Sequence, residues 1–201
     1  IMRNAKANPY WHVPPELVRS LTAKRIGQEG LSYLRNFHYE VLSGWSSNAQ
    51  PVDPKTINWK AVASGRRGPT LLVRQKPGPW NSMGKMKFEM PNDYGIYLHD
   101  TPLKEKFAGD RWISNGCVRL EDYQRFARWV FGYVPQSSTP EQRIDLPRPI
   151  PVYLTYLTVE PSPNFGVVFR PDPYGFDAQA MPQMFGPGNV ASAGDSPLTR
   201  G

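Results

Sequence analysis

Proline and glycine interrupt this chain so often that they argue against a helical bundle. Its 201 residues hold 22 Pro and 17 Gly. Pro removes a backbone donor and ends helices, and Gly supplies the backbone angles that turns require. A fold of short elements joined by turns is therefore expected, one domain in size or one domain with an insertion. No stretch approaches the roughly 20 apolar residues of a membrane-spanning helix. The chain opens Ile-Met-Arg-Asn-Ala-Lys, and an initial Ile is not a natural translation start. A processed or truncated chain is expected, its targeting segment already removed.

Local patterns place the elements. Residues 8–13 read as an extended, aromatic piece stopped by Pro14 and Pro15. Leu17, Val18, Leu21 and Ile26 approximate a helical stripe, residues 30–34 start a second short helix, and residues 53–62 resemble a capped helix. Residues 14–67 thus read as a small, mostly helical insertion with little core of its own. After residue 68 the pattern changes to strands at 70–75, 86–90 and 94–98, the last delivering His99 at its end. Residues 117–120 read as a strand or strand end, and 121–131 as an amphipathic helix closed by Gly132. Residues 150–159 carry the strongest strand signal, with 166–170 as a hairpin partner. A loosely ordered tail is expected over 179–201. The fold class is mainly β with α (α+β), with 1–13 and 68–178 as the main domain.

The chemistry concentrates on one residue. Cys117 is the lone cysteine, so it forms no internal disulfide, and His12, His38 and His99 lack ligand-like spacing, so no metal is expected. A free Cys can be a small buried hydrophobe. The preceding Ser114-Asn115-Gly116 is poor packing material and good loop material, which favours a nucleophile. A thiol with pKa ~8.5 needs a base to become a thiolate, and His99 lies 18 residues upstream. Backbone N–H groups around Asn115, Gly116 and Cys117 are a natural supply of oxyanion donors. Ser114 is balanced between fixing the loop and serving the site. Arg119 is balanced between a substrate carboxylate and the loop. Tyr97 and Trp112 read as walls of a substrate pocket or as core. The formal charge of +7 suits nucleic acid, anionic lipid or an acidic polymer. The basic residues are dispersed rather than clustered, so nucleic acid is a weak reading.

Tyr97-Leu98-His99-Asp100-Thr101-Pro102, a loop, then Arg111, Ser114 and Gly116-Cys117-Val118-Arg119 resembles the L,D-transpeptidases of the YkuD type. It is most similar to a larger periplasmic branch with an insertion in the catalytic domain. Residues 8–14, 74–79, 81–88 and 151–156 follow the order of that branch, and the resemblance covers roughly 8–178. It implies a β-rich, sandwich- or barrel-like catalytic domain, a Cys117 nucleophile and a His99 base oriented by the Asp100 backbone carbonyl. The Asp100 side chain is expected instead to cap the turn with Thr101. The implied substrates are peptidoglycan stem peptides, donor and acceptor, joined through a thioester without a cofactor. The implied place is the periplasm; a monomer is expected, with residues 14–67 as a lid on the groove or a stabilising decoration. Asn115 stands where the family often has His. Strands that usually precede the Asn-Pro-Tyr-Trp segment are expected to be short or missing. A carboxypeptidase or wall hydrolase, a transpeptidase attacking after the first stem residue, and a non-enzymatic wall-binding domain are the competing readings.

Overall fold

The computed structural model describes residues 1–46, 48–66, 71–109, 114, 116–164 and 166–186. The chain divides into two units, residues 1–152 and 153–201. The first opens with β1 (Met2–Ala7) and β2 (Trp11–His12). A helical passage follows: α1 (Pro15–Leu17), a π-helical turn at Val18–Thr22, α2 (Ala23–Glu29) and α3 (Ser32–Asn36). Next come β3 (Tyr39–Leu42), α4 (Trp59–Ala63), β4 (Leu72–Gln75), β5 (Met86–Glu89) and β6 (Leu98–His99). The unit closes with β7 (Val118–Arg119), α5 (Tyr123–Phe131) and β8 (Gln142–Ile150). The second unit holds the antiparallel hairpin β9 (Val159–Pro161) and β10 (Val167–Phe169), followed by α6 (Phe176–Phe185).

Two sheets organise the first unit. The larger runs β7-β6-β5-β1-β8, and the smaller β2-β4-β3. This is the expected α+β class, but the larger sheet ends at β7 and β8 among the described residues, so it is an open sheet and not a barrel. Its pairings are antiparallel except that of β6 with β7, which is parallel. Parallel neighbours need a long crossover, and residues 100–117 supply it.

The core of the larger sheet follows from alternation. Met86 and Phe88 of β5 are fully buried, and β1 adds the small Ala5 and Ala7. Helix α5 covers this face with Ala127, Val130 and Phe131. Asp122 caps its first turn by accepting from the Arg125 N–H at 2.8 Å, and Gly132, the closing glycine the sequence predicted, ends it in the left-handed region at φ +83°. The Phe126 ring meets Phe88 edge-on, with centroids 4.8 Å apart.

Several expectations are corrected. A full strand, β1, precedes the Asn-Pro-Tyr-Trp segment and pairs on both sides, with β5 and β8. The long strand of this region is Gln142–Ile150, which pairs with β1, rather than the expected 150–159. Pro147 and Pro149 hide it from a pattern search, but β8 is an edge strand and can do without their missing N–H groups. Residues 151–157 form no strand, and Tyr153, Leu154 and Leu157 lie exposed. The 14–67 segment is not purely helical, since β3 lies inside it and pairs with β4. Nor does it lack a core: Val18, Ile26, Leu34 and Trp59 are buried with Trp11, Val13, Val73 and Met83 against the β2-β4-β3 sheet. Of the expected tail, residues up to Phe185 are helical in α6, and 187–201 lie outside the described residues.

Phe88 is the largest fully buried side chain of the core. Phe88→Ala should therefore cost about 3–5 kcal/mol, the range for deleting a large core aromatic, read by urea unfolding followed by circular dichroism. A loss under about 1 kcal/mol would contradict this placement of the core.

Candidate active site

The parallel register of β6 and β7 places Leu98 opposite Val118 and His99 opposite Arg119. Side chains alternate along strands, so Leu98 and Val118 turn into the core. Tyr97, His99, Cys117 and Arg119 turn the other way, and all four line one groove of about 440 Å³. Ladder bonds bracket the cysteine: the Val118 N–H donates to the Tyr97 carbonyl at 3.1 Å, and the Leu120 N–H to the His99 carbonyl at 2.8 Å. The far wall of the groove comes from α1, α2 and α3 and the turns beside them, including Leu17, Leu21, Arg25 and Tyr33.

His99 is 4% exposed. Its Nδ1 lies in hydrogen-bond contact with the Asp100 carbonyl. A carbonyl only accepts, so Nδ1 carries the proton, and the neutral ring leaves Nε2 with its lone pair. Burial lowers the imidazole to about pKa 4, with Arg119 and Lys87 pushing the same way and the Asp100 carbonyl and carboxylate opposing them. The ring is therefore neutral at neutral pH and competent to take a proton.

The Asp100 side chain serves a different purpose from the expected cap on Thr101. Its Oδ2 accepts from the Lys85 N–H at 2.8 Å, and its Oδ1 from Lys104 Nζ at 2.7 Å. Lys104 spends its other donors on the carbonyls of Leu120, at 2.9 Å, and Glu121, at 2.7 Å. One ammonium thus ties the turn after His99 to the chain after β7, with all three N–H groups used. The close packing also explains Gly84: at φ +60°, any Cβ there would collide with the Asp100 carboxylate.

The cysteine loop is held from within. Ser114 Oγ donates to the Cys117 carbonyl and accepts from the Gly116 N–H at 3.0 Å. Gly116 has φ +130° and open space beside its Cα, a conformation that suits glycine. Cys117 is half-buried, with Sγ 4.0 Å from the Gly95 carbonyl. Burial first, then the neighbouring Cys117, raises the Tyr97 phenol well above its ordinary value. Lys87 Nζ lies 4.2 Å from the Tyr97 ring centroid, and the Tyr97 and His99 rings meet edge-on at 5.8 Å.

A family model described as the L,D-transpeptidase catalytic domain, of the YkuD type, matches residues 2–152. The chain belongs to this family. A Haemophilus influenzae protein bearing the name "Putative L,D-transpeptidase" is 30% identical over 188 residues, which cover 89% of this chain and 37% of that protein. The chain thus spans little more than a third of the length of this relative.

In this L,D-transpeptidase catalytic domain the structure gathers Tyr97, His99, Ser114, Cys117 and Arg119 around one groove, with Asp100 and Gly116 directly behind. Asn115, Trp112 and Arg111 lie outside the described residues. Sequence reasoning missed Lys104, Gly84 and Asn81. Lys104 sits four residues after Asp100, but its carbonyl partners lie 16 and 17 residues on, beyond any local pattern. Asn81 is fully buried and donates to the carbonyls of Pro9, Gln75 and Lys76. Its sequence signals were an Asn inside the proline- and glycine-rich turn between β4 and β5, and its place in the 81–88 stretch that carries the family resemblance, neither of which gave it a role.

A pH dependence follows from His99. The unfolded imidazole titrates near 6.5 and the folded one near 4. Between these values the unfolded chain binds the extra proton, so stability is full above about pH 6.5 and falls by up to about 3 kcal/mol as pH drops through the window. His12 is lowered in the same direction, chiefly by burial, so the comparison needs His99→Gln. Urea midpoints of wild type should fall more steeply from pH 7 to pH 4 than those of the variant. Parallel curves would contradict a neutral, buried His99.

Proposed function

We propose that this domain is a cysteine-dependent L,D-transpeptidase that cross-links peptidoglycan stem peptides through a thioester on Cys117. The observation that carries this reading is the paired register of β6 and β7: His99 and Arg119, with Tyr97 and Cys117 just before the two strands, face one groove.

In this mechanism His99 Nε2 takes the thiol proton, and the thiolate attacks the carbonyl of a donor stem peptide. The Gly116 N–H is engaged by Ser114, so the amide assigned to the developing oxyanion is that of Cys117. Tyr97, which lines the groove beside Cys117, offers its hydroxyl as a donor to the thiolate. The tetrahedral intermediate collapses by breaking the C–N bond. The departing amine takes its proton from the imidazolium, leaving the thioester. An acceptor amine, deprotonated by Nε2, then attacks the thioester, and Cys117 regains its proton as the new amide forms. The Asp100 carbonyl steadies the imidazolium at Nδ1 throughout. Arg119 offers a guanidinium to a stem carboxylate, in keeping with the basic balance of the chain. No cofactor is needed, because the thioester conserves the energy of the cleaved bond. The cell envelope, where this polymer lies, is the matching location.

Cys117→Ala should abolish cross-linking and leave no covalent adduct with a carbapenem by intact-protein mass spectrometry. His99→Ala should slow acylation by more than about 100-fold, the lower range for positioned acid–base catalysis. A persistent adduct in Cys117→Ala, or parental acylation in His99→Ala, would overturn the assignment.

The helical wall is assigned the task of keeping water from the thioester. Leu17 and Leu21 line the groove opposite the strands, and an apolar wall there favours an amine acceptor over hydrolysis. Leu17→Ser with Leu21→Ser should raise the ratio of hydrolysed to cross-linked product at least about 3-fold, while acylation by a small β-lactam is kept. An unchanged ratio would reduce the segment to a supporting wall.

A further inference from the structure

The β2-β4-β3 sheet has two faces, and the Cys117 groove uses one. Trp11, Tyr39 and Gln75 reach that groove. The alternate positions His12, Glu40 and Arg74 stand in one cross-strand row on the opposite face. There they line a second cavity of about 490 Å³, floored by Leu42 and Leu72 and bordered by Trp45. The catalytic reading above leaves this cavity without a task.

Its chemistry is specific. The charges in and around it are already paired: Arg74 donates to Glu40, Lys76 Nζ lies 3.5 Å from the same carboxylate, and Glu141 faces both Lys6 and His12. His12 is lowered, chiefly by burial, so it stands neutral at neutral pH and offers both a donor and an acceptor nitrogen. Paired charges hold donors and acceptors in fixed directions without calling for an ionic ligand. Trp45 is 54% exposed, with its ring 6.2 Å from that of His12. A bare indole at the mouth of a polar cavity supplies a flat apolar surface. A pyranose matches both features, with an apolar C–H face and a rim of hydroxyl and amide groups.

We propose that this cavity is a saccharide-binding subsite, which holds an N-acetylated sugar of the glycan strand carrying the stem peptide. The strand identity rests on the reading of the Cys117 groove as a stem-peptide site. The sheet between the two cavities then acts as a spacer, with glycan on one face and reacting peptide on the other.

The probe is a tetramer of N-acetylglucosamine, which carries no peptide, titrated calorimetrically into the intact chain. Wild type and Cys117→Ala should bind it equally. Trp45→Ala should bind at least about tenfold more weakly, and Trp45→Phe should restore most of the affinity. In turnover assays, wild type should prefer disaccharide-linked stem peptides over bare ones. Trp45→Ala should lose that preference while keeping the parental rate on bare peptide. Absence of tetramer binding to wild type, or equal binding by wild type and Trp45→Ala, would overturn the subsite. If the tetramer binds as described but Cys117 forms no thioester with any stem peptide, the subsite stands and the catalytic reading fails. If bare peptides react while the tetramer is ignored, the reverse holds.

Discussion

The parallel pairing of β6 with β7 is the constraint on which the site depends. Two residues from each strand are enough to define it: Leu98 with Val118 on the core side, His99 with Arg119 on the groove side. A slip of one residue in this register would send Cys117 to the core face and Val118 into the groove. Such short strands cannot hold register through their ladder alone. The anchor is Lys104, whose ammonium joins the Asp100 carboxylate to the carbonyls of Leu120 and Glu121. The turn after His99 and the chain after Cys117 are therefore locked by one charged group.

Burial and orientation of the imidazole come from the same cluster. Asp100 divides its labour, its backbone carbonyl holding His99 Nδ1 while its carboxylate accepts from Lys85 and Lys104. A carboxylate aimed at the ring would raise the imidazole and favour the charged form. A neutral carbonyl orients the ring without holding it protonated, and burial then prevails. Ser114 plays a comparable part for Cys117, closing the loop through its hydroxyl and leaving the thiol half-buried beside Tyr97.

Much of this was legible in the sequence, for identifiable reasons. The α5 helix with its closing Gly132 and the single cysteine in a Ser-Asn-Gly loop are local signals, readable at short range, whereas the strand expected at 94–98 is only Leu98–His99. The hidden parts are long-range. Strand β8 was obscured by Pro147 and Pro149, which an edge position tolerates. Residues 150–159 looked like a strand because they are apolar, yet Tyr153, Leu154 and Leu157 remain exposed. The helical segment showed no long apolar run because it shares its core with β2 and β4, so Val18, Ile26 and Trp59 find their partners elsewhere in the chain. Ser114 and the Asp100 side chain were ambiguous until their hydrogen bonds were visible, since a hydroxyl or carboxylate in a loop supports several pairings.

Nitrogen NMR of the 15N-histidine-labelled protein at pH 7, with the His99 signals assigned by their loss in His99→Gln, tests the central claim most directly. The fold should deliver a neutral imidazole with its proton on Nδ1 and a bare Nε2, unchanged down to about pH 5, because the folded value lies near 4. An imidazolium at pH 7, or a neutral ring carrying its proton on Nε2, would contradict the account of how this site is prepared for proton transfer.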